Sequence, residues 1–171
     1  PAIAHLLSSA VSASEVEDSA VPLLPGLDAR RFPISSGVKE AGAYFQQGFA
    51  LLYAFNHWEA IRAFKAAQAL DPNCAICYWG EAIALGPNIN APMDAASGSL
   101  AQAAIVKAQA LIGYADSREA ALIQAAALRY SADPSADRTV LDKNYADAMA
   151  KVSAAFPDDQ DIATLYAESL M

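Results

Sequence analysis

Apolar residues recur with helical spacing through most of the chain after residue 36. Ser36 stands at a candidate N-cap position before Gly-Val-Lys-Glu, and apolar residues then follow a helical period through Phe55. A second amphipathic run extends from His57 to Leu70 and ends at Asp71-Pro72, because proline cannot continue a helix. The pattern predicts two antiparallel helices joined by a tight turn.

Residues 1–36 follow a different pattern. Their periodicity is weak and is interrupted by a glycine and several prolines, which predicts an extended, mostly irregular N-terminal arm ahead of a helical domain at residues 37–171. The arm nevertheless carries an apolar run at Val21, Leu23, Leu24 and Leu27. We expect this run to lie on a surface of the helical domain.

The first two helices also have the spacing of a repeat of 34 residues. If Ala41 is position 1, the packing positions 4, 8 and 11 of the first helix and 20, 24, 27 and 32 of its partner and closing turn are Tyr44, Gly48, Leu51, Ala60, Phe64, Ala67 and Pro72. Small residues thus stand where two helices must approach, and large residues stand where they interlock. The segment AYFQQGFALLYAFNHWEAIRAFKAAQALDP therefore resembles a tetratricopeptide (TPR) repeat, from which it departs at position 7, where Gln47 replaces the usual leucine.

Further units follow with weaker signatures. The units are predicted at about residues 41–72, 75–112 and 117–156, with a lone helix at 161–170, so the fold class is all-α, a TPR-like helical hairpin array of about three and a half repeats. The run FNHWEAIRAFKAAQALDP, followed by CAICYWGEAIALGPNINAPM, also resembles the N-terminal part of longer, uncharacterised bacterial TPR proteins. This resemblance favours a fragment of a longer protein; the alternative is that the last helix caps the array.

An inserted loop separates the helices of the second unit. Residues 86–93 and a few more intervene before the partner helix, predicted at roughly Ser99 to Ile112, and they form a candidate functional loop. Because the first helices of all units run in one direction, His57 lies at the same end as this loop. We expect His57 to contact it, either by hydrogen-bonding a loop carbonyl or by binding copper with Met93. The loop residues concerned are Asn88, Asn90 and Met93.

Composition supports the all-helical prediction and narrows the function. Alanine fills 41 of 171 positions and threonine only two, which leaves few of the β-branched residues that sheets favour. The net charge of -8 makes nucleic-acid binding unfavourable. No run approaches the roughly 18 apolar residues of a membrane span, and the opening residues lack the features of a signal peptide. A periplasmic or secreted location and a cytoplasmic one both remain open.

Cys74 and Cys77 are the first candidates for chemistry. They lie at the entry to a helix, whose dipole stabilises a thiolate. Tyr78 replaces the histidine of a c-type haem site, and a zinc site would need four ligands where the chain offers these two thiols, His5 and His57. We therefore expect no metal and no cofactor, and either two partly buried thiols or a local disulfide; a metal-binding or redox accessory role is the alternative.

No catalytic motif is present, so the sequence predicts a protein that is not an enzyme. In TPR arrays, positions 2, 5, 9 and 12 of each first helix line the concave surface. The residues at these positions form an apolar, aromatic groove: Phe45, Phe49, Leu52, Ile76, Trp79, Ile83, Leu122, Ala126 and Arg129. The groove lacks the basic clamp with which chaperone adaptors of this family hold a carboxylate tail.

Three functions are compatible with this groove. The first is a binding or scaffolding module for a protein or peptide. In a second interpretation the stripe is simply core, covered by further repeats or by the chain's own arm, for which a segment such as Val21 to Leu27 is suitable. The third is self-association, in which the open C-terminal face of one array stacks on another.

Overall fold

The structure is a computed structural model that describes residues 21–27 and 31–171, and these residues form seven α-helices and no strand. The all-α prediction is confirmed. The helices are α1 Lys39–Tyr53, α2 His57–Leu70, α3 Ala75–Leu85, α4 Ala95–Ala110, α5 Ser117–Ala126, α6 Arg138–Ala155 and α7 Gln160–Ser169, with a short 3₁₀ helix at Ile112–Tyr114. Within the described part of the chain, no helix combines the length and the apolar character that crossing a bilayer requires.

Consecutive helices pack as pairs. The pairs are α1 with α2, α3 with α4, and α6 with α7, and α2 also packs against α3. The odd-numbered helices α1, α3 and α5 contact each other in sequence, so they share one side of the molecule. That side is where the arm lies.

Phe64 of α2 joins the first helix pair to the second. Its ring is fully buried, and a Cβ placed on Gly48 of α1 or Gly80 of α3 would come within 2.9 Å or 2.5 Å of it. A methyl group cannot fit at either distance, so both glycines are required for the close approach of helix and ring. The repeat spacing placed Gly48 and Phe64 at packing positions of one helical hairpin; the structure brings these two residues into contact and adds Gly80.

Several helix ends differ from the prediction. The N-cap of α1 is Val38, not Ser36, because the Ser36 hydroxyl is hydrogen-bonded to Asp71 of the α2–α3 turn. Helix α4 begins at Ala95, before the predicted Ser99, because the Asp94 carboxylate accepts the Ser97 N–H and caps the helix there. The positions of these helix ends depend on side-chain hydrogen bonds, which cannot be predicted from the spacing of hydrophobic residues.

Phe55 holds a strained backbone conformation between α1 and α2. Its φ is 58°, and it occupies the C′ position of a Schellman motif in which Phe55 N–H and Asn56 N–H donate to the carbonyls of Leu52 and Leu51. We expect Phe55→Gly to raise the free energy of unfolding by up to about 1 kcal/mol, because glycine adopts this conformation without Cβ strain. Urea denaturation would measure it. Phe55→Ala is the control, since it removes the ring and keeps the strain; equal stability of the two variants would contradict the prediction.

Candidate binding face and the arm that lies on it

Phe32 of the arm fills an aromatic site on the side shared by α1, α3 and α5. Its ring centroid lies 4.4 Å from that of Phe49, 5.4 Å from Phe45 and 5.9 Å from Trp79. The guanidinium carbon of Arg118 lies 3.9 Å from the same centroid, on the side of α5. Only 1% of Phe32 is exposed. The ring therefore gains both apolar burial and a cation–π contact from three different helices.

Two consecutive glutamines of α1 hold the backbone of the arm. Gln46 accepts the Phe32 N–H at Oε1 (2.7 Å) and donates from Nε2 to the Phe32 carbonyl (2.6 Å). Gln47 does the same for a second stretch, accepting the Leu24 N–H (2.7 Å) and donating to the Pro22 carbonyl (2.9 Å). The polar residue at position 7 of the repeat pattern is thus explained, because leucine at this place could satisfy neither backbone group.

The serines that follow Phe32 reach the starts of α3 and α5. Ser35 donates its N–H to Glu119 Oε1 (2.6 Å), and its hydroxyl accepts the Asp116 N–H (3.2 Å). The Ser36 hydroxyl donates to Asp71 Oδ2 at 2.6 Å. Burial raises the pKa of Glu119, and the hydrogen bonds that its carboxylate accepts from Ser35 and Asp116 partly oppose this shift. Residues 31–36, called the anchor segment below, thus contact α1, α3 and α5, and we call the surface that they contact the binding face.

Arg118 links the binding face to α7. Besides lying over the Phe32 ring, it forms a bidentate hydrogen bond to Asp159, with Nε to Oδ2 at 2.5 Å and NH2 to Oδ1 at 3.2 Å. Asp159 is also the N-cap of α7 and accepts the Ile162 N–H. The Arg118 hydrogen bond lowers the pKa of the Asp159 carboxyl, outweighing the effect of its partial burial.

This pKa shift predicts a pH dependence. In the unfolded chain Asp159 titrates near its ordinary value of about 3.9, while in the folded chain it titrates lower, so its stabilising effect is complete above the ordinary value and is lost as the pH falls through the lower one. We expect the stability difference between the wild-type chain and Asp159→Asn to be largest at neutral pH and to shrink below about pH 3.9. Asparagine still caps the helix, so the comparison isolates the charge.

Urea denaturation at several pH values would measure this difference. Asp158→Asn, at the exposed neighbouring position, is the matched control. A difference between wild type and Asp159→Asn that persists unchanged into acid would contradict the assignment.

The predicted groove residues divide into two groups. Phe45, Phe49 and Trp79 contact Phe32, and Ile76 lines a cavity of about 240 Å³ together with Ser35, Ser36 and Glu119. The remaining apolar residues belong to the same core, Leu52 partly buried and Ile83, Leu122 and Ala126 buried. The apolar stripe is therefore buried, and its aromatic centre is covered by the chain's own arm.

The part of the arm that fills the aromatic site differs from the expectation. Val21 to Leu27 is the segment that the sequence suggested, but its Leu23 and Leu24 are 44% and 46% exposed and lie beside Ala43 and Gln47 of α1, with Gln47 accepting the Leu24 N–H. The residues missed were Phe32, Gln46, Arg118 and Glu119. Phe32 was missed because the sequence argument favoured the longer run of apolar residues upstream of it. In the structure, the single ring of Phe32 is buried, while Leu23 and Leu24 of that run are exposed.

Arg129 lies elsewhere, in a buried polar cluster at the end of the molecule where the 86–93 loop emerges. It donates to the Pro87 carbonyl (3.1 Å) and to Glu168 (3.3 Å), lies 3.5 Å from Asp142, and stacks 4.6 Å from the centroid of Tyr145. Burial opposes the charge of Arg129, yet the surrounding carboxylates and tyrosines raise its pKa overall. Arg129 thus ties the third unit to the loop and to α7 instead of lining the groove.

Tyr130, next to Arg129, is hydrogen-bonded to the second unit. Its hydroxyl donates to the Ala82 carbonyl at 2.6 Å, and burial raises its pKa to about 12. The same hydroxyl would lie 2.5 Å from a Cβ on Gly86, so glycine is needed where the loop leaves α3. The polar cluster therefore also sets the start of the loop.

His57 lies at the same end of the molecule, half-buried. Burial lowers its pKa, and the neighbouring Ala84 carbonyl and Glu168 carboxylate partly oppose the shift. Neither ring nitrogen has a hydrogen bond of good geometry to the described residues. Ala84 belongs to the last turn of α3, so the imidazole lies beside the element that leads into the loop; direct contact with Asn88, Asn90 or Met93 stays a prediction.

The loop is organised by its own residues. Asn88 and Ala91 exchange backbone hydrogen bonds, and the Asn88 side chain accepts the Asn90 N–H at 2.9 Å. Met93 packs beside Gly98 of α4. These local bonds fix the shape of the turn.

Cys74 and Cys77 form a disulfide, with their Cα atoms 5.4 Å apart. Cys74 is the N-cap of α3, and both residues are buried. Of the two arrangements expected for this pair, the structure has the disulfide. His5 lies outside the described residues, and among residues 21–27 and 31–171 no group of three or more histidine, cysteine, aspartate or glutamate side chains is placed to hold a metal ion.

Comparisons of the chain with protein families, with curated proteins and with solved structures give no match in any of the three.

Proposed function

We propose that this chain is a non-catalytic, TPR-like binding module whose binding face holds an extended segment of polypeptide. The single observation that carries the proposal is that this face already does so within the chain, since the anchor segment lies across α1, α3 and α5. The TPR-like arrangement is supported by the paired helices and by Phe64 between Gly48 and Gly80. In a module of this kind, a partner and the arm would compete for one surface.

The two means of holding the segment favour recognition of polypeptide. Gln46 pairs with both the N–H and the carbonyl of one residue, which any extended chain offers whatever its side chains are. The aromatic site supplies selectivity, because it accepts one large ring. In peptide recognition, hydrogen bonds to the peptide backbone commonly supply affinity, and pockets for its side chains supply specificity.

Selection from a random peptide library tests the proposal. Phe32→Ala, in the full chain, empties the aromatic site and should enrich a set of related peptides, whereas the wild-type chain, whose face is occupied, should enrich none. Because Phe32 is a core residue, circular dichroism must first establish that the variant keeps its helices. Phe32→Leu replaces it if helical content falls. No enrichment on a folded variant would contradict the proposed function.

A redox accessory role is the second candidate. It is favoured by Cys74, which stands at the N-cap of α3 and lines the 240 Å³ cavity beside the anchor segment. Against it, Asp71 and Glu119 line the same cavity, and carboxylates disfavour the thiolate that disulfide exchange needs. Reduction of a model disulfide by the dithiol form of the chain, above the rate of a Cys74→Ser variant, would support this candidate.

A further inference from the structure

We propose that the partner of the binding face is an extended segment with an aromatic residue, then an aliphatic residue two positions on, then two small hydroxyl residues, and no acidic side chain at those last positions. This inference rests on the proposed function. It follows from the contacts of the chain's own Phe-Pro-Ile-Ser-Ser sequence at residues 32–36.

The aromatic position is set by the shape and charge of its site. Phe45, Phe49 and Trp79 surround the ring, and Arg118 lies over its face. An aliphatic side chain would keep the apolar contact but lose the attraction between the guanidinium and the π-electrons. An anchor with a ring is therefore preferred to leucine or methionine.

The aliphatic position is set by contact with the core beside α1. Ile34 is partly buried and packs against the core, and its Cδ1 would lie in ordinary van der Waals contact, at 3.9 Å, with a Cβ placed on Gly42. The residue between the two anchors, Pro33, is exposed. This position can therefore vary.

The hydroxyl positions are set by their neighbours in the α2–α3 turn and at the start of α5. The Ser36 hydroxyl donates to the Asp71 carboxylate, while Ser35 donates its backbone N–H to the Glu119 carboxylate and its hydroxyl accepts the Asp116 backbone N–H. A carboxylate or phosphate at position 36 would face Asp71, and one at position 35 would lie beside Glu119, so both would be repelled. The binding face thus excludes segments with acidic or phosphorylated residues at these two positions. Phosphorylation of a bound segment at either serine would release that segment from the binding face.

The test uses the peptide with the sequence of residues 31–38, Arg-Phe-Pro-Ile-Ser-Ser-Gly-Val. The receptor is the full chain with Trp58→Phe and Phe32→Ala. The chain has two tryptophans, and Trp58 is 76% exposed, so its replacement leaves Trp79, in the aromatic site, as the one fluorescent reporter. Titration should shift the Trp79 emission and saturate. The Trp58→Phe chain with Phe32 intact is the control and should need a much higher peptide concentration.

Peptide variants test each position. Replacing the phenylalanine of the peptide by alanine should weaken binding by at least about 30-fold, since burial of that ring supplies most of the apolar gain. Replacing either serine by aspartate should weaken it by about tenfold. A phenylalanine-to-tyrosine change should matter less than phenylalanine-to-leucine. Equal affinity of all variants would overturn the inference.

The other outcomes are also decisive. If the peptide fails to bind while the library selects unrelated sequences, the inference is wrong and the proposed function stands; if the library selects nothing, both fall. If an added chain carrying Trp58→Phe and Trp79→Phe, which has no tryptophan emission of its own, shifts the Trp79 emission of the receptor and the peptide does not, the occupant is a second copy of this chain, and the inference is overturned.

Discussion

Replacing Phe64 by alanine is expected to lower the free energy of unfolding by about 3–5 kcal/mol, the range for loss of a fully buried aromatic ring. The ring fills the space between α1, α2 and α3, and both Gly48 and Gly80 are within contact distance of it. Neither glycine has a side chain that could move into the vacated volume. The cavity therefore stays open, and the cost should lie toward the upper end of that range.

Urea denaturation followed by circular dichroism would measure the effect. Trp58→Ala is the matched control, an aromatic truncation on the same helix at a residue that is 76% exposed, and should change stability by less than about 0.5 kcal/mol. Gly80→Ala provides a second test from the opposite direction, since the added methyl group overpacks the same contact and should cost about 1–3 kcal/mol. Similar small effects for all three variants would mean that Phe64 does not interlock the helices.

Replacing Arg129 by leucine is expected to cost about 1–3 kcal/mol, the usual loss when a buried hydrogen-bonding group is removed and its partners are left unpaired. Arg129 is 5% exposed and holds together three separate parts of the chain through Pro87, Asp142 and Glu168. Leucine fills much of the volume but leaves the Pro87 carbonyl and the Glu168 carboxylate without the guanidinium, while Asp142 keeps its ion pair with Arg138. The loss should therefore come from electrostatics rather than from a cavity.

Lys143→Leu is the control for this prediction. Its ion pair with Asp147 is also between a cation and a carboxylate, but both side chains are mostly exposed, so we expect a change within about 0.5 kcal/mol. Arg129→Lys should recover only part of the stability, because lysine cannot hold two carboxylates and a carbonyl in one plane. Full recovery by lysine would show that charge alone matters and would contradict the geometric role given to the guanidinium.

The first two helical pairs could be predicted from the sequence because their cause is local, whereas α7, which was predicted to be a lone helix, is the main partner of α6. Residues three and four positions apart share a helix face, so the alternation of small and large side chains at Gly48, Ala60 and Phe64 reports packing directly. The disulfide was one of two arrangements left open by the spacing of Cys74 and Cys77. Helix ends were predicted less well, since the hydrogen bonds of Asp94 to Ser97 and of Ser36 to Asp71 do not follow a hydrophobic period.

The binding face could be predicted only in part. Its aromatic lining of Phe45, Phe49 and Trp79 follows from repeat positions, but its polar contacts join residues with no periodic relation, such as Ser35 with Glu119. Gln47 gave one signal, as a polar residue where an apolar one was expected. Arg129 was placed by extending the repeat past the end of α5, where the helix had already stopped and the side chain turned toward the loop.

The binding face depends most on the arm being held to α1 by Gln46 and Gln47 and anchored by Phe32. Residue-resolved amide hydrogen exchange measures this directly, because the N–H groups of Leu24 and Phe32 donate to Gln47 and Gln46. We predict slow exchange at both amides in the wild-type chain, with Gln46→Ala releasing Phe32 and Gln47→Ala releasing Leu24. Exchange of both amides at the rate of an unstructured peptide in the wild-type chain would contradict the account.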